Sequence, residues 1–266
     1  ETVQRKHNTK VGTWGKITVL KGTLKFIELT EDGEVLAEHF FEAGADNPMA
    51  QPQAWHRVEA LTDDVEWFLE FYCEPKDYFL KKYNSNPVHS EVLEAMESLS
   101  PGKALDLGCG QGRNALFLAQ HGFEVTAVDQ NELALEILQS IVEQEDLEMT
   151  VGLYDINSAA LTQTYDLIVS TVVLMFLQAD RIPAIIRNMQ DQTNPGGYNL
   201  IVCAMDTEDY PCQVPFSFTF KEGELADYYK DWELIKYNEN PGHLHRRDEH
   251  GNRIALRFAT MLAKKK

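Results

Sequence analysis

The residues best placed to do chemistry form one run, Asp106-Leu107-Gly108-Cys109-Gly110-Gln111-Gly112. Three glycines at alternate positions let the backbone turn tightly and let a ligand approach the main chain. A helix after such a turn offers its unpaired N–H groups to the same ligand. The spacing discriminates between ligands. A dinucleotide site asks for G-x-G-x-x-G, with its third glycine at position 113. That position is Arg113 and the third glycine is Gly112, so no pyrophosphate cradle is expected. Two further acids, Asp129 and Asp155, each close an apolar stretch. At strand ends, Asp129 is placed to accept both hydroxyls of a ribose, and Asp155 the amino group of an adenine.

A second group lies late in the chain. His243, His245, Arg246, Arg247 and Arg253 form the densest basic cluster of an otherwise acidic protein. Arginine donates in a fork that suits oxyanions. His245, Arg246 and Arg253 are therefore the candidates for holding a small-molecule oxyanion, and Asp206, at the end of the apolar stretch over 198–205, for orienting one of these bases. The four cysteines, Cys73, Cys109, Cys203 and Cys212, contain no C-x-x-C pair, which points to a reduced, cytoplasmic protein. Cys109 reads as a small residue in a tight loop.

The elements that must position these groups fall into two patterns. Residues 10 to about 73 alternate apolar and polar side chains between turn signals at Gly22 and Asp32-Gly33, which predicts a small all-β barrel or sandwich. Helical spacing starts near Asn86. From Ala104 onward, short apolar runs alternate with helical periods: strands over 104–107, 123–128, 149–154, 165–170 and 198–205, helices over 113–121, from Asn131, 181–190 and 222–230, and two closing strands over 232–237 and 253–262. That alternation predicts an α/β fold with a doubly wound, mostly parallel sheet over 76–266, preceded by a β domain over 1–75. In such sheets ligands sit at the carboxyl ends of the strands where the strand order reverses.

Bulk properties exclude several classes. The 266 residues carry a formal charge of −18, with 7 Lys+Arg against 14 Asp+Glu in residues 1–75 and 17 against 28 in the remainder. Neither part shows the basic footprint of a nucleic-acid binder. No apolar run reaches 18 residues, so no membrane partner is expected. The field of the whole chain repels an anionic substrate, so local Arg or His must capture it.

Residues 77–266 resemble the tellurite-resistance methyltransferases of the TehB type, within the class I S-adenosylmethionine-dependent methyltransferases. The segments carrying the likeness are 106–114, 170–176 and 195–202, then 205–207 with 209–212, 220–225, and His245-Arg246 with Gly251-Asn252-Arg253. The resemblance implies S-adenosylmethionine as cofactor and tellurite or selenite as methyl acceptor. It places Asp106, Gly108 and Gly110 at the methionine end, Asp129 at the ribose, Asp155 and Ile156 at the adenine, and Ser170, Thr171 and Val172 along the fourth strand's end. Tyr83, His89 and Ser90 would close over the carboxylate, and Cys109, Asn114 and Gln130 complete the cofactor set. Residues 1–75 resemble a cupin-type β domain. Metal-binding cupins carry a His-x-His pair, broken here at His7-Asn8-Thr9, so no metal is expected. Whether that domain joins two copies into a homodimer, binds a ligand or shields the site is left open.

Overall fold

The computed structural model describes residues 5–247 and 249–266, with side chains for all of these except residues 245–247. The chain divides into two compact units, Glu1–Tyr78 and Phe79–Lys266.

The first unit is antiparallel β. Strand β1 (Trp14–Lys21) pairs with β5 (Glu66–Tyr72), and β2 (Thr23–Leu29) lies between β3 (Val35–Glu42) and β4 (Trp55–Ala60). The period-2 alternation turns Ile17, Val19, Leu24, Phe26, Phe41 and Val58 into one core. His56 is part of its lining: the ring stacks on Phe26 at 4.9 Å and Nδ1 lies 2.8 Å from the Ala54 carbonyl. Burial lowers its pKa. His39 pairs instead with Glu28 at 3.0 Å. Among the described residues no three His, Cys, Asp or Glu side chains are grouped to hold a metal ion.

The second unit is a seven-stranded sheet in the order β11-β12-β10-β9-β6-β7-β8. Its strands are β6 (Lys103–Leu107), β7 (Glu124–Asp129), β8 (Met149–Leu153), β9 (Tyr165–Thr171), β10 (Thr193–Ala204), β11 (Glu233–Arg247) and β12 (Arg253–Lys264). All neighbours are parallel except β12, which runs antiparallel to both β10 and β11. The helices are α1 (Tyr78–Tyr83), α2 (Ser90–Ala95), α3 (Arg113–Gln120), α4 (Glu132–Gln144), α5 (Ile182–Asp191) and α6 (Glu224–Tyr228). α3 packs on β6 and β7, α4 on β7 and β8, and α5 on β10. Ile182, Ile185, Ile186 and Met189, spaced for one face of α5, bury against Leu105, Leu107, Ile168 and Ile201 of the sheet. The chain moves outward from β6 through β7 to β8, then crosses to β9 on the other side. The strand order therefore reverses between β6 and β9, which is where a crevice opens at the carboxyl edge. No helix among the described residues is long and apolar enough to cross a membrane.

Some boundaries differ from the sequence expectation. The helix expected from near Asn86, α2, is short and begins at Ser90, because Pro87 biases Asn86 away from helical backbone and His89 serves as the cap, its Nδ1 accepting from Glu91 N at 3.2 Å. The strand expected over 232–237 runs on to Arg247. Pro241-Gly242 reads as a breaker, yet β11 is the edge strand, where a missing N–H leaves no ladder bond unmade. The late basic cluster thereby lies on a β11–β12 hairpin. β10 ends at Ala204 opposite Phe258. Arg253 is five residues further along β12, about 17 Å beyond that end at the rise of a strand.

Candidate active site

Asp106 and Leu107 finish β6, and the chain turns through three glycines into α3. All three have positive φ: +85° at Gly108, +54° at Gly110 and +81° at Gly112. Packing requires two of them, and the third faces open space. A Cβ at Gly108 would sit 2.6 Å from both Val173 methyls, and one at Gly112 would sit 2.4 Å from Leu138 Cδ1. A Cβ at Gly110 would meet nothing within 4 Å, so this glycine borders open space. That space is a cavity of about 250 Å³ lined by residues 85 and 86, 108–111, 113, 114 and 171–173.

The acid at the end of β7 faces the same loop. Asp129 Oδ2 accepts the Gly110 N–H at 2.8 Å and Oδ1 the Asn131 N–H at 2.9 Å. One backbone donor on each oxygen fixes the carboxylate and leaves a lone pair on each for a pair of vicinal hydroxyls. Gln130 is exposed beside it. At the end of β8, Asp155 caps the turn 156–158: Oδ1 accepts from Asn157 N and Nδ2, both at 3.0 Å. Ile156 beneath it is buried.

Asp106 has another environment. It is buried and accepts the Ala115 N–H at 3.1 Å. Loss of water raises its pKa to about 7, with Asp129 pushing the same way, against the Ala115 hydrogen bond and the nearby Arg113 charge. The folded-state value lies above the unfolded 3.8, so this seat favours the protonated carboxyl. Its contribution to stability is full below pH 3.8 and is lost as pH rises through about 7. Between pH 5 and pH 7 the loss amounts to about 2 kcal/mol. Thermal unfolding of the wild type and Asp106→Asn over that range measures it. The wild type is expected to lose stability relative to the variant with rising pH; a constant difference would contradict this account of the seat.

The roof of the cavity comes from the segment before α2. His89 N–H donates to Asn114 Oδ1 at 3.1 Å, and Asn114 Nδ2 donates to Thr171 Oγ1 at 3.0 Å. Asn114 is buried and ties this segment, α3 and the end of β9 together. Lys236 of β11 holds α2 itself, through Glu91 at 2.6 Å and Glu94 at 2.7 Å. Val172 adopts φ +62°, a costly conformation for a β-branched residue, and donates its N–H to Val202 O at 2.7 Å. This kink carries the chain off β9 and lets Val172 and Val173 line the cavity.

The sequence candidates separate into those on the cavity and those elsewhere. Gly108, Cys109, Gly110, Asn114, Thr171 and Val172 line it. Asp129 meets it through Gly110. Cys109 is buried, and loss of water raises its thiol pKa far above neutrality, so it offers no thiolate. Ser170 is fully buried, and strand alternation sets it on the side of β9 opposite Thr171; its Oγ has no hydrogen-bond partner among the described residues. Tyr83 directs its hydroxyl to Glu145, which also binds Lys82 at 2.7 Å. Ser90 is exposed at the start of α2. Asp206, expected to orient a late basic residue, accepts instead from Lys221 Nζ at 2.7 Å and from Cys212 N at 2.9 Å. Arg253 is exposed near the hairpin tip. The side chains of His245 and Arg246 lie outside the described residues; their backbone continues β11. Gln111 of the expected run also lines the cavity, and Ser85, Asn86, Arg113 and Val173 line it without having been expected there. The signal for Asn86 was Pro87, which disfavours helical backbone at the residue before it; Arg113 counted only as a departure from the dinucleotide spacing.

The groups present fit a nucleoside-type cofactor without a diphosphate: Gly110 faces open space, and Asp129 is held with two lone pairs to spare. Fold and site together define an S-adenosylmethionine-dependent methyltransferase of the class I type.

Residues 71–262 match the family of the tellurite resistance protein TehB, and residues 1–69 match a TehB-like domain. The chain belongs to the TehB family. It is 60% identical over 263 residues, 99% of this chain and 92% of the other, to a Haemophilus influenzae protein described as a probable S-adenosyl-L-methionine-dependent methyltransferase TehB. It is 54% identical over 238 residues, 90% of this chain and 79% of the other, to hemagglutinin 1 of Eikenella corrodens. The crystal structure of TehB from Haemophilus influenzae superposes with a TM-score of 0.95 at 59% identity, covering 100% of this chain and 93% of that one.

Proposed function

We propose that this chain transfers a methyl group from S-adenosylmethionine to tellurite, and to selenite, converting a toxic oxyanion into a less harmful product in the cytoplasm. The observation that carries the reading is the placement of the late basic residues. His245, Arg246 and Arg253 belong to the β11–β12 hairpin, which projects past the carboxyl edge of the sheet, the edge that bears the glycine loop. The likeness to the tellurite resistance protein family supports the same acceptor.

The cofactor, when bound, supplies an electrophilic methyl on a sulfonium. Gly108 and Gly110 bring the main chain close to the methionine end, Asp106 and Arg113 set the charge there, Asp129 takes the ribose, and Asp155 with Ile156 takes the adenine. Asn114 holds residues 85–89 over the cavity and so limits the access of water, which favours reaction of an anion with a cation. A chalcogen lone pair needs no general base, so the hairpin residues have only to position the oxyanion.

The test is S-adenosylhomocysteine formation with tellurite, with selenite and with a small thiol. Turnover with the oxyanions is expected; turnover with the thiol alone would replace this acceptor by an organic one. Arg253→Ala is expected to raise the KM for tellurite at least tenfold and to leave S-adenosylhomocysteine affinity within twofold. An unchanged KM would remove Arg253 from the acceptor site.

A further inference from the structure

Arg257 lies on β12 where β10 ends, its carbonyl accepting the Met205 N–H at 2.9 Å. Its side chain is 22% exposed. Nη2 donates to Asp209 Oδ2 at 2.7 Å, and the guanidinium carbon lies 6.0 Å from the Tyr210 ring centroid. Nε is buried and has no hydrogen-bond partner among the described residues. Nε and Nη2 form one edge of the guanidinium, the two-donor fork that binds a carboxylate or phosphate through two oxygens. Asp209 fills half of it. Its second oxygen, Oδ1, is turned aside to accept from Thr207 Oγ1 at 2.8 Å. A buried donor left unmade is costly, and Asp209, held by Thr207, leaves this one unmade.

The two partners are unequally placed. The Asp209 side chain is 66% exposed, and the hydrogen bond from Thr207 and the Arg257 charge hold its pKa below the usual carboxylate range. It is a charged carboxylate at the surface, leaning on a guanidinium that is mostly withdrawn. An incoming anion with several oxygens can displace it and satisfy both donors. The location suits the proposed acceptor: β12 is two strands from β9, about 10 Å across the sheet, and the end of β9 lines the cofactor cavity.

We propose that Arg257 is an oxyanion-binding residue whose Nε–Nη2 edge takes a chalcogen oxyanion in exchange for Asp209, which acts as a built-in competing anion. The inference rests on the reading that the methyl acceptor is an oxyanion. It assigns Asp209 an effect opposite in sign to a structural role: removing its charge strengthens anion binding.

The experiment titrates selenite into the S-adenosylhomocysteine complex by calorimetry and measures turnover alongside. Arg257→Lys loses the fork and is expected to weaken selenite binding at least tenfold, with S-adenosylhomocysteine affinity within twofold. Asp209→Asn is expected to tighten selenite binding three- to tenfold, and carries the test alone if the Arg257 variant does not fold. Weaker or unchanged selenite binding in Asp209→Asn overturns the proposal. Selenite binding with these variant effects but without turnover keeps Arg257 as the anion site and removes the acceptor reading. Turnover with selenite affinity unchanged in both variants does the reverse. A wild-type complex that neither binds nor turns over selenite overturns both.

Discussion

Gly110→Val is expected to leave the protein folded and to abolish binding of S-adenosylhomocysteine. The backbone there has φ +54°, and a Cβ would meet nothing within 4 Å. The substitution therefore costs backbone strain of about 1–2 kcal/mol without a clash. The valine methyls enter the cavity of about 250 Å³, which we propose receives the cofactor's amino-acid end. An affinity loss of at least 100-fold is expected, equivalent to about 3 kcal/mol. Circular dichroism and calorimetry on the same sample separate the two effects. The neighbouring glycine is the contrast: Gly112→Val would drive a Cβ to 2.4 Å from Leu138 Cδ1 and is expected to unfold the unit first. A folded Gly110→Val protein that binds S-adenosylhomocysteine normally would move the cofactor away from this loop.

The second large effect is expected at Asp129. Its carboxylate accepts one backbone N–H on each oxygen, from Gly110 and Asn131, and is assigned both ribose hydroxyls. Hydrogen bonds to a charged group contribute about 1.5–3 kcal/mol each, so Asp129→Ala should weaken S-adenosylhomocysteine binding 100-fold or more. Asp129→Asn keeps the shape, lacks the charge and can accept on one atom only; an intermediate loss is expected. Calorimetric titration of the three proteins gives the order. Equal affinities in wild type and alanine variant would assign the ribose to another group.

Much of this was legible in the sequence because its signals are local. The spacing of Gly108, Gly110 and Gly112 reports backbone geometry directly, and the three glycines do have positive φ. The alternation of strands and helices reports layering in the same way, since each element must bury one face. What was not legible depends on distant partners. Asp206 ends the strand over 198–205 and reads as a partner for the basic cluster, but Lys221 takes its carboxylate. Tyr83 sits just before the sheet, yet Glu145 at the far end of α4 takes its hydroxyl. Ser170 and Thr171 are adjacent, and the pleat sends only Thr171 to Asn114. Pro241 reads as a breaker until it is known that β11 has a free edge. Arg257 is one residue in a periodic strand, and only the fold brings Asp209 and Tyr210 to it.

The most direct measurement on the central claim is calorimetric titration of the purified chain with S-adenosylhomocysteine and, separately, with NADH. The glycine spacing, with Arg113 where a dinucleotide site needs its third glycine, predicts tight binding of S-adenosylhomocysteine and none of NADH. Binding of NADH alone would contradict the cofactor assignment, and the proposed methyl transfer would fall with it.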